Sequence, residues 1–478
     1  MLIKEKKISL ALFFFSIFAI FSVRVIYNFY LNLPLHFDEA QYWDWSQNLD
    51  WGYFSKPPFL AFLIRLITET CGSGENCIKS LSAFIHSLTS IIIFLSVYSM
   101  TKNYKKSFFG SLLFLLMPGI TFSSFMISTD VPLIFFSSLI ALILIKSYYS
   151  KVFHNTYVFL LALALALGFL SKYAIFYIIL SCLLSTIIFK DCRSFFLRKQ
   201  FIITLFITVI LILPNIFWNY KNQFVTFSHT ADNANLNYIQ LNFLQGIIFL
   251  FSQIVMFGII PIILLFYKYI SLKNTYTLQK ILFLCFIFPI ILVFLLAIFS
   301  RANANWAVVG YPFGCILLAS LINIKNNFYK NICLINQYIF FAAIFLLASI
   351  LPLFDLDPFS KVRHIKILSE VLKKELINGE NIAFMADDRE DYAHLLYYLK
   401  DIDVKKAKWN GDNRIDDHYE LTTHQNHLIG KKVLFVTRTK PTDAMIEKSS
   451  SYEKIDSLIF KTNKRSKIFN IYLFKDWK

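Results

Sequence analysis

Long apolar runs separated by short, charge-bearing interruptions dominate the first three quarters of this chain. Runs such as Leu10–Val23, Phe201–Leu213 and Ile281–Phe299 contain no charged residue. A helix needs about 20 residues to cross a hydrocarbon core, and a backbone inside lipid is satisfied only in helices or a closed barrel. Alternating ten-residue strands are absent, so the pattern predicts helices. They fall at about 8–30, 80–100, 107–126, 131–147, 155–170, 173–190, 200–219, 243–267, 281–299, 304–323 and 334–353. The pair around Ser171 also reads as one bent span. Beyond about residue 355 the chain turns polar and mixes periods. Strands are expected at Asn381–Met385, Lys432–Thr437 and Lys467–Leu473, with a helix at Arg389–Leu399. The expected fold class is an all-α polytopic membrane protein of about 11 transmembrane helices with a small C-terminal α/β domain outside the membrane. The expected boundaries are 1–354 for the membrane domain, with a first outer loop at about 31–79, and 355–478 for the extramembrane domain.

Composition supports lipid as the main solvent. The chain of 478 residues is 57% hydrophobic and only 16% charged, against about 25% charged in soluble domains; its mean hydropathy is +0.56. A net charge of +17 would invite nucleic acid in a soluble protein. Here the basic residues sit in short clusters between apolar spans rather than along one face, which excludes that class. They set topology instead. With the N-terminus inside, the cytoplasmic ends carry Lys4, Lys6, Lys7, Lys102, Lys105, Lys106, Lys146, Lys151, Lys190, Arg193, Arg198, Lys199, Lys268, Lys273, Lys280, Lys325 and Lys330. The opposite short loops carry Lys56, Arg65, Lys79, Lys172, Lys221 and Arg301. No small-residue cleavage site follows the basic start, so the first apolar stretch is expected to remain as a membrane helix.

This orientation places two substantial segments outside. The first loop is rich in aromatics, and its stretch from Glu39 to Asn48 suits a short helix in the interface, where Trp and Tyr settle. The C-terminal portion lies outside by parity. Cys182, Cys192, Cys285, Cys315 and Cys333 fall in or beside spans and read as packing residues. Cys71 and Cys77 flank a glycine-containing turn in the outer loop, where an oxidising compartment would permit a disulfide. No nearby His completes a zinc set there.

Ionisable residues at helix mouths are costly in a membrane and are functional candidates by default. The chain carries Asp38-Glu39 after the first helix, Lys56 before Pro57-Pro58, Asp130 in Ser128-Thr-Asp130-Val-Pro132, and Lys172-Tyr173. It also carries Trp218, Asn219 and Lys221 in one segment, and Arg301, Asn303, Asn305 and Trp306 in another. The orientation set by charge puts all six segments on the outer face. A carboxylate such as Asp38 can act as general base toward a hydroxyl. Lys56, Lys172 and Arg301 are suited to a phosphate and to the charge that develops on a phosphate leaving group. Tyr42, Trp43, Tyr53 and the other loop aromatics are suited to a sugar face or an acyl chain.

Structural alternatives stand beside each of these. Asp38-Glu39 can simply cap the following helix, and Asp130 can do the same before its own. Lys56 can be a solvated loop residue, Lys172 and Arg301 can reach headgroups, and Asn219 and Asn303 can terminate helices. None of these alternatives accounts for the shared face. His229 followed by Asp232 reads as a plain surface loop before it reads as a metal site.

These segments together resemble the bacterial multi-spanning glycosyltransferases of the dolichyl-phosphate-mannose protein mannosyltransferase superfamily, which includes the aminoarabinose–lipid A transferases of GT-C fold. The similarity rests on Asp38-Glu39-Ala-Gln-Tyr-Trp, Gly52-Tyr-Phe-Ser-Lys56-Pro57-Pro58, Thr129-Asp130-Val-Pro-Leu133, Leu170-Ser-Lys172-Tyr173, Pro214-Asn-Ile-Phe-Trp218-Asn219 and Asn303-Ala-Asn305-Trp306 through Tyr311. Phe384-Met-Ala-Asp387-Asp-Arg389, followed by Tyr397-Tyr398, is similar to the tail domains of many members. The resemblance implies a cavity at the outer face of the bacterial inner membrane, a polyprenyl-phosphate-linked sugar donor, and inversion at the anomeric carbon. Asp38 would be the base if the acceptor is a hydroxyl, with Glu39 helping to position it. Lys56 would lie near the donor phosphate, with Lys172 and Arg301 as weaker candidates. Asp130, Tyr173, Trp218, Asn219, Asn303, Asn305 and Trp306 would contribute to substrate binding. No cofactor is assigned beyond a possible divalent metal. A divalent metal, associated in lipid A-modifying relatives with an acidic residue before that lysine, is left open because Ser55 stands there.

The expected partners are the lipid-linked sugar, a lipid or protein acceptor and the membrane itself. Lipid A or another part of the lipopolysaccharide, a secreted protein and another glycolipid all remain open as acceptors. A transporter or flippase is the rival from another class, since charges at helix mouths also mark substrate pathways. One-sided charges and the long aromatic loop speak against it. A scaffold that only presents the C-terminal domain would leave Asp38, Lys56 and Arg301 free to vary.

Overall fold

A computed structural model describes residues 2–150, 154–235, 241–323, 327–354, 356–357, 359–412, 414–462 and 465–478. Lys151, Lys325 and the expected boundary residue Asp355 lie outside the described residues. The described residues cluster into two compact units. One comprises residues 1–30, 56–60 and 76–345; the other comprises 31–55, 61–75 and 346–478.

The first unit is the membrane part of a multi-pass protein. Its helices are α1 (Leu2–Leu31), then, beyond α2 (Phe37–Gln47) and α3 (Phe59–Cys71), α4 (Glu75–Thr101), α5 (Tyr104–Leu115), α6 (Pro118–Ser123), α7 (Asp130–Tyr149) and α8 (Asn155–Ser171). They continue with α9 (Phe176–Ile188), α10 (Lys190–Phe196), α11 (Lys199–Lys221), α12 (Val225–Asn233), α13 (Phe243–Phe257), α14 (Ile259–Ile270), α15 (Thr277–Phe299), α16 (Tyr311–Leu321) and α17 (Asn327–Ile350). Among the described residues 7 spans are long and apolar enough to cross a membrane, and an eighth arises if α13 and α14 count as one. The segments 155–171 and 173–188 are shorter apolar helices.

Two expected helices are broken. The one expected over 107–126 stops at Leu115 and restarts at Pro118, because proline lacks the N–H that would continue the ladder. The one expected over 243–267 bends by 95° at Gly258. Gly258 has φ +104°, and a Cβ there would meet the Gln337 side chain at 2.6 Å, so only glycine fits. The bend frees backbone groups that lipid cannot satisfy. Gln337 Nε2 answers one of them by donating to the Phe257 carbonyl at 3.0 Å. Buried Arg24 on α1 likewise donates to the Leu115 carbonyl at the α5 break.

The second unit gathers the outer-loop helix α2, most of α3 and the C-terminal portion. After α18 (Ser360–Arg363) and α19 (Ile365–Asn378) come β1 (Ile382–Ala386), α20 (Arg389–Tyr398), β2 (Lys406–Lys408), α21 (His418–Thr422), β3 (Lys432–Thr437), α22 (Asp443–Glu447), β4 (Ser451–Thr462) and β5 (Arg465–Lys475). The sheet order is β2-β1-β3-β5-β4. β1 lies parallel to β2 and β3, and the β3, β5 and β4 pairs are antiparallel. β1 and β3 are continuous apolar runs buried over nearly their whole length, as central strands covered on both faces must be. Asp388 caps α20 by accepting from Glu390 N and Asp391 N, which sets the helix just past the end of β1.

α20 packs on α2 through polar and aromatic contacts. His394 Nε2 lies 3.0 Å from the Leu35 carbonyl, and Leu35 N donates to Tyr398 Oη at 3.2 Å. The Trp43 and Tyr397 rings meet edge to face at 5.0 Å. On α3 and its following turn, Tyr397 Oη donates to the Ser73 carbonyl at 2.6 Å, while Glu75 accepts from Tyr398 Oη and from Lys366.

Candidate functional site

The residues singled out by sequence resolve into two polar centres, one in each unit. In the membrane unit, Asp130 opens α7 and both its oxygens are taken. Oδ1 accepts from Lys172 Nζ at 2.6 Å and Oδ2 from Asn305 Nδ2 at 2.6 Å. Lys172 sits where α8 ends, its extended backbone turning the chain toward the short helix Tyr173–Ile175. The Asp130 and Lys172 side chains are only 10% and 16% exposed. Lys172 is thus neutralised by a carboxylate, which does not favour its expected role on a phosphate.

Beside Lys172, Tyr173 Oη donates to Asn215 Oδ1 at 3.2 Å and accepts from Asn219 Nδ2 at 3.4 Å. Its ring stacks on Phe227 at 4.8 Å. Asn215 and Asn219 are fully buried on α11, with Trp218 on the same helix nearly so. Asn215 was not singled out by sequence, although Pro214 before it marks the turn of α11 that carries it. Lys56 is half-buried. Three residues on, Phe59 packs against the cluster of Ala166, Leu170 and Ile212 and meets the Phe136 ring at 5.2 Å. This seats the 56–60 segment against α7, α8 and α11. Arg301 is exposed and makes no ion pair with a described residue. Asn303 is also exposed and begins the short helix Ala304–Gly310, while Trp306 packs on the core.

In the second unit, α2 separates its two acidic residues by role. His36 is the N-cap: its Nδ1 accepts from Asp38 N at 3.4 Å, and its own N–H donates to Glu39 Oε2 at 2.9 Å. That reciprocal pair is a capping box. Glu39 is completely buried in this role, while Asp38 also stands in the first turn but makes no side-chain cap. Asp38 is 42% exposed. Its oxygens face His36 Nδ1 at 3.7 Å and Arg389 Nη1 at 3.8 Å, too far for hydrogen bonds.

The three loop aromatics named as suited to a sugar face or an acyl chain are buried. Tyr42, Trp43 and Tyr53 are at most 7% exposed. Tyr53 stacks on Trp45 at 4.4 Å and donates to the Trp45 carbonyl at 3.0 Å, so these rings consolidate the fold of the loop. Asp44, one turn beyond Ala40, is partly accessible. Burial holds its carboxyl up at about 7, and the nearby Lys406 pulls it back. Cys71 and Cys77 are disulfide-bonded, and the other cysteines are free. Among the described residues no three His, Cys, Asp or Glu side chains gather as a metal would need. His229 lies on α12.

Residues 55–218 match the family model of dolichyl-phosphate-mannose-protein mannosyltransferases. The chain is 31% identical over 296 residues to the lipid A galacturonosyltransferase RgtD of Rhizobium johnstonii, a match spanning 60% of each protein. Two crystal structures of ArnT from Cupriavidus metallidurans superpose over nearly the whole chain. The one bound to undecaprenyl phosphate gives a TM-score of 0.68 at 11% identity, covering 96% of this chain and 97% of that one. The apo structure gives 0.66 at 13% identity, covering 97% of each. The chain therefore has the fold of ArnT, and its residues 55–218 are similar in sequence to the dolichyl-phosphate-mannose-protein mannosyltransferases.

Proposed function

We propose that this protein is an inner-membrane glycosyltransferase that moves a sugar from a polyprenyl-phosphate donor onto lipid A or another part of the lipopolysaccharide. The observation that carries the reading is the 31% identity to a lipid A galacturonosyltransferase. The ArnT fold, seen there with undecaprenyl phosphate, supports a lipid-phosphate donor. The basic bias of alternate loops supports a cytoplasmic N-terminus and a periplasmic C-terminal portion. A donor already carried across the membrane then meets its acceptor on the outer side.

In this reading the acceptor oxygen attacks the anomeric carbon from the face opposite the donor phosphate. The bond from that carbon to the phosphate oxygen breaks, the sugar inverts, and polyprenyl phosphate leaves. Asp38 takes the proton from a hydroxyl acceptor. Lys56, with Arg301 as a second cation, holds the donor phosphate and the charge it gains on leaving. Lys172 serves that site by fixing Asp130 with Asn305 rather than by binding phosphate. If the acceptor is a lipid A phosphate, it is already nucleophilic and needs no base from Asp38.

The name of the matching family model favours a second reading, with a protein as acceptor. Mass spectrometry of lipid A and of periplasmic glycoproteins from a deletion strain separates the two. Loss of one sugar from lipid A alone is the expected result. Loss from glycoproteins alone selects the second reading, and no change in either pool overturns both.

A further inference from the structure

The environment of Asp38 is built from the C-terminal portion of the chain. Arg389, the first residue of α20, lies over the Phe37 ring at 5.2 Å and donates from Nη1 to Gln41 Oε1 at 2.7 Å. Phe37, Asp38 and Gln41 occupy the first two turns of α2. The planar guanidinium is therefore held by a ring face and an amide oxygen, a geometry that a lysine ammonium cannot reproduce. Its Nη1 stands 3.8 Å from Asp38 Oδ1, close enough to act electrostatically and too far to take the oxygen out of use.

Arg389 is itself oriented from behind. It follows the Asp388 cap of α20, and Asp388 also faces Arg438 at 3.4 Å. Arg438 further donates to the buried Asp391 at 2.7 Å. The neighbouring acids are thus occupied by Arg438, leaving Arg389 directed toward α2.

We propose that Arg389 is a positioning residue for the transfer reaction: it holds Asp38 in place and keeps a cation beside it without consuming either carboxylate oxygen. This rests on the glycosyltransferase reading given above. The mere alternative is that Arg389 helps α20 stick to α2. Lys400 supplies the control, because it bridges the same two elements without approaching Asp38. Its ammonium lies over the Tyr397 and Trp43 rings at 4.2 and 5.6 Å and donates to the Ser73 carbonyl at 3.0 Å.

The test uses the purified full-length protein in detergent or nanodiscs, with an undecaprenyl-phosphate sugar and lipid A, and compares kcat and donor KM. Arg389→Ala is expected to lower kcat about tenfold with donor KM within about twofold, since orientation and not donor binding is lost. Lys400→Ala is expected to leave kcat unchanged. Arg389→Lys should recover only part of the loss, and added guanidinium should restore activity to Arg389→Ala but not to Lys400→Ala. In a double-mutant cycle, Arg389→Ala should add nothing to Asp38→Asn. Equal losses in Arg389→Ala and Lys400→Ala, or additive effects of the Asp38 and Arg389 changes, overturn the proposal. So does wild-type activity in Asp38→Asn. Absence of transfer by the wild-type protein with either acceptor class overturns the functional reading instead.

Discussion

Asp130 and Asp38 are two of the carboxylates that face a cation in this molecule, and the difference between them separates structure from chemistry. Asp130 in the membrane unit is shielded, with one oxygen on Lys172 and the other on Asn305, both at 2.6 Å. Asp38 in the second unit is 42% exposed, with Arg389 at 3.8 Å and His36 at 3.7 Å. The first is saturated and its oxygens have nowhere else to go. The second has one cation, Arg389, beside it yet keeps both oxygens open to a substrate. An exposed pair of this kind contributes about 0–1 kcal/mol to stability, so its arrangement is of little use to folding. A shielded pair is the reverse: each partner is needed because the other is there.

The sharpest way to break this contrast is to remove Lys172. Lys172→Ala leaves Asp130 partly buried with one partner, at a cost of up to about 3 kcal/mol. The melting temperature and membrane yield should fall clearly, and Asp130→Asn in the same chain should recover part of the loss. If Lys172→Ala melts like wild type while its donor KM rises, Lys172 binds phosphate after all.

Asp38→Asn should do the opposite. Stability is expected to stay within about 0.5 kcal/mol, as for most surface changes, while transfer to a hydroxyl acceptor falls about a hundredfold. A loss smaller than about threefold, read from initial rates, would point to an acceptor that needs no base, such as a phosphate.

Glu39→Ala tests the neighbour. Losing half of the capping box should destabilise α2 by about 1 kcal/mol, seen as faster hydrogen exchange over residues 37–47. Any effect on rate should be smaller than that of Asp38→Asn.

The smallest effect concerns pH. The Asp44 carboxyl, raised to about 7 by burial, keeps a proton in the folded state that an unfolded Asp loses near pH 4. Between about pH 4 and pH 7 the unfolded state therefore binds fewer protons, and this group's contribution turns against folding as pH rises before levelling off above that window. Asp44→Asn should flatten the decline in α2 protection over this range; an unchanged slope assigns it to another group.

Much of the architecture was legible from periodicity. The apolar runs marked the spans, and Lys432–Thr437 was read as a strand with the boundaries it has. Where the reading failed, the missing information was tertiary. The break at Gly258 looks like one glycine in an apolar run, and only its approach to Gln337 shows why nothing else fits. β4 escaped because Ser451–Thr462 mixes charged and apolar residues without a clean two-residue period, and β2 is a mere three residues.

The candidate site shows the same limit. Asp38, Glu39, Asp130, Lys172 and Asn305 were all visible as polar residues at helix mouths. Which of them is spent could not be, because Asp130 and Asn305 are 175 positions apart and the partner of α2 lies at the far end of the chain. The aromatic loop misled for a related reason: rings suited to a sugar are equally suited to packing, and burial decides between them.

Gln337 bears on how the chain is assembled. Its side chain reaches the Phe257 carbonyl and lies near the Leu113 carbonyl, at 3.0 and 3.4 Å, so one late helix meets two earlier interruptions. Until α17 arrives, the bend at Gly258 presents an unanswered carbonyl to lipid, and without that bend the Gln337 amide keeps only its longer bond to the Leu113 carbonyl. Each defect is tolerable only in the company of the other. Order of synthesis thus becomes an order of risk: the nascent membrane unit should be most vulnerable to quality-control proteases after α14 is inserted and before α17 is, and Gln337→Leu should extend that vulnerability to the finished protein.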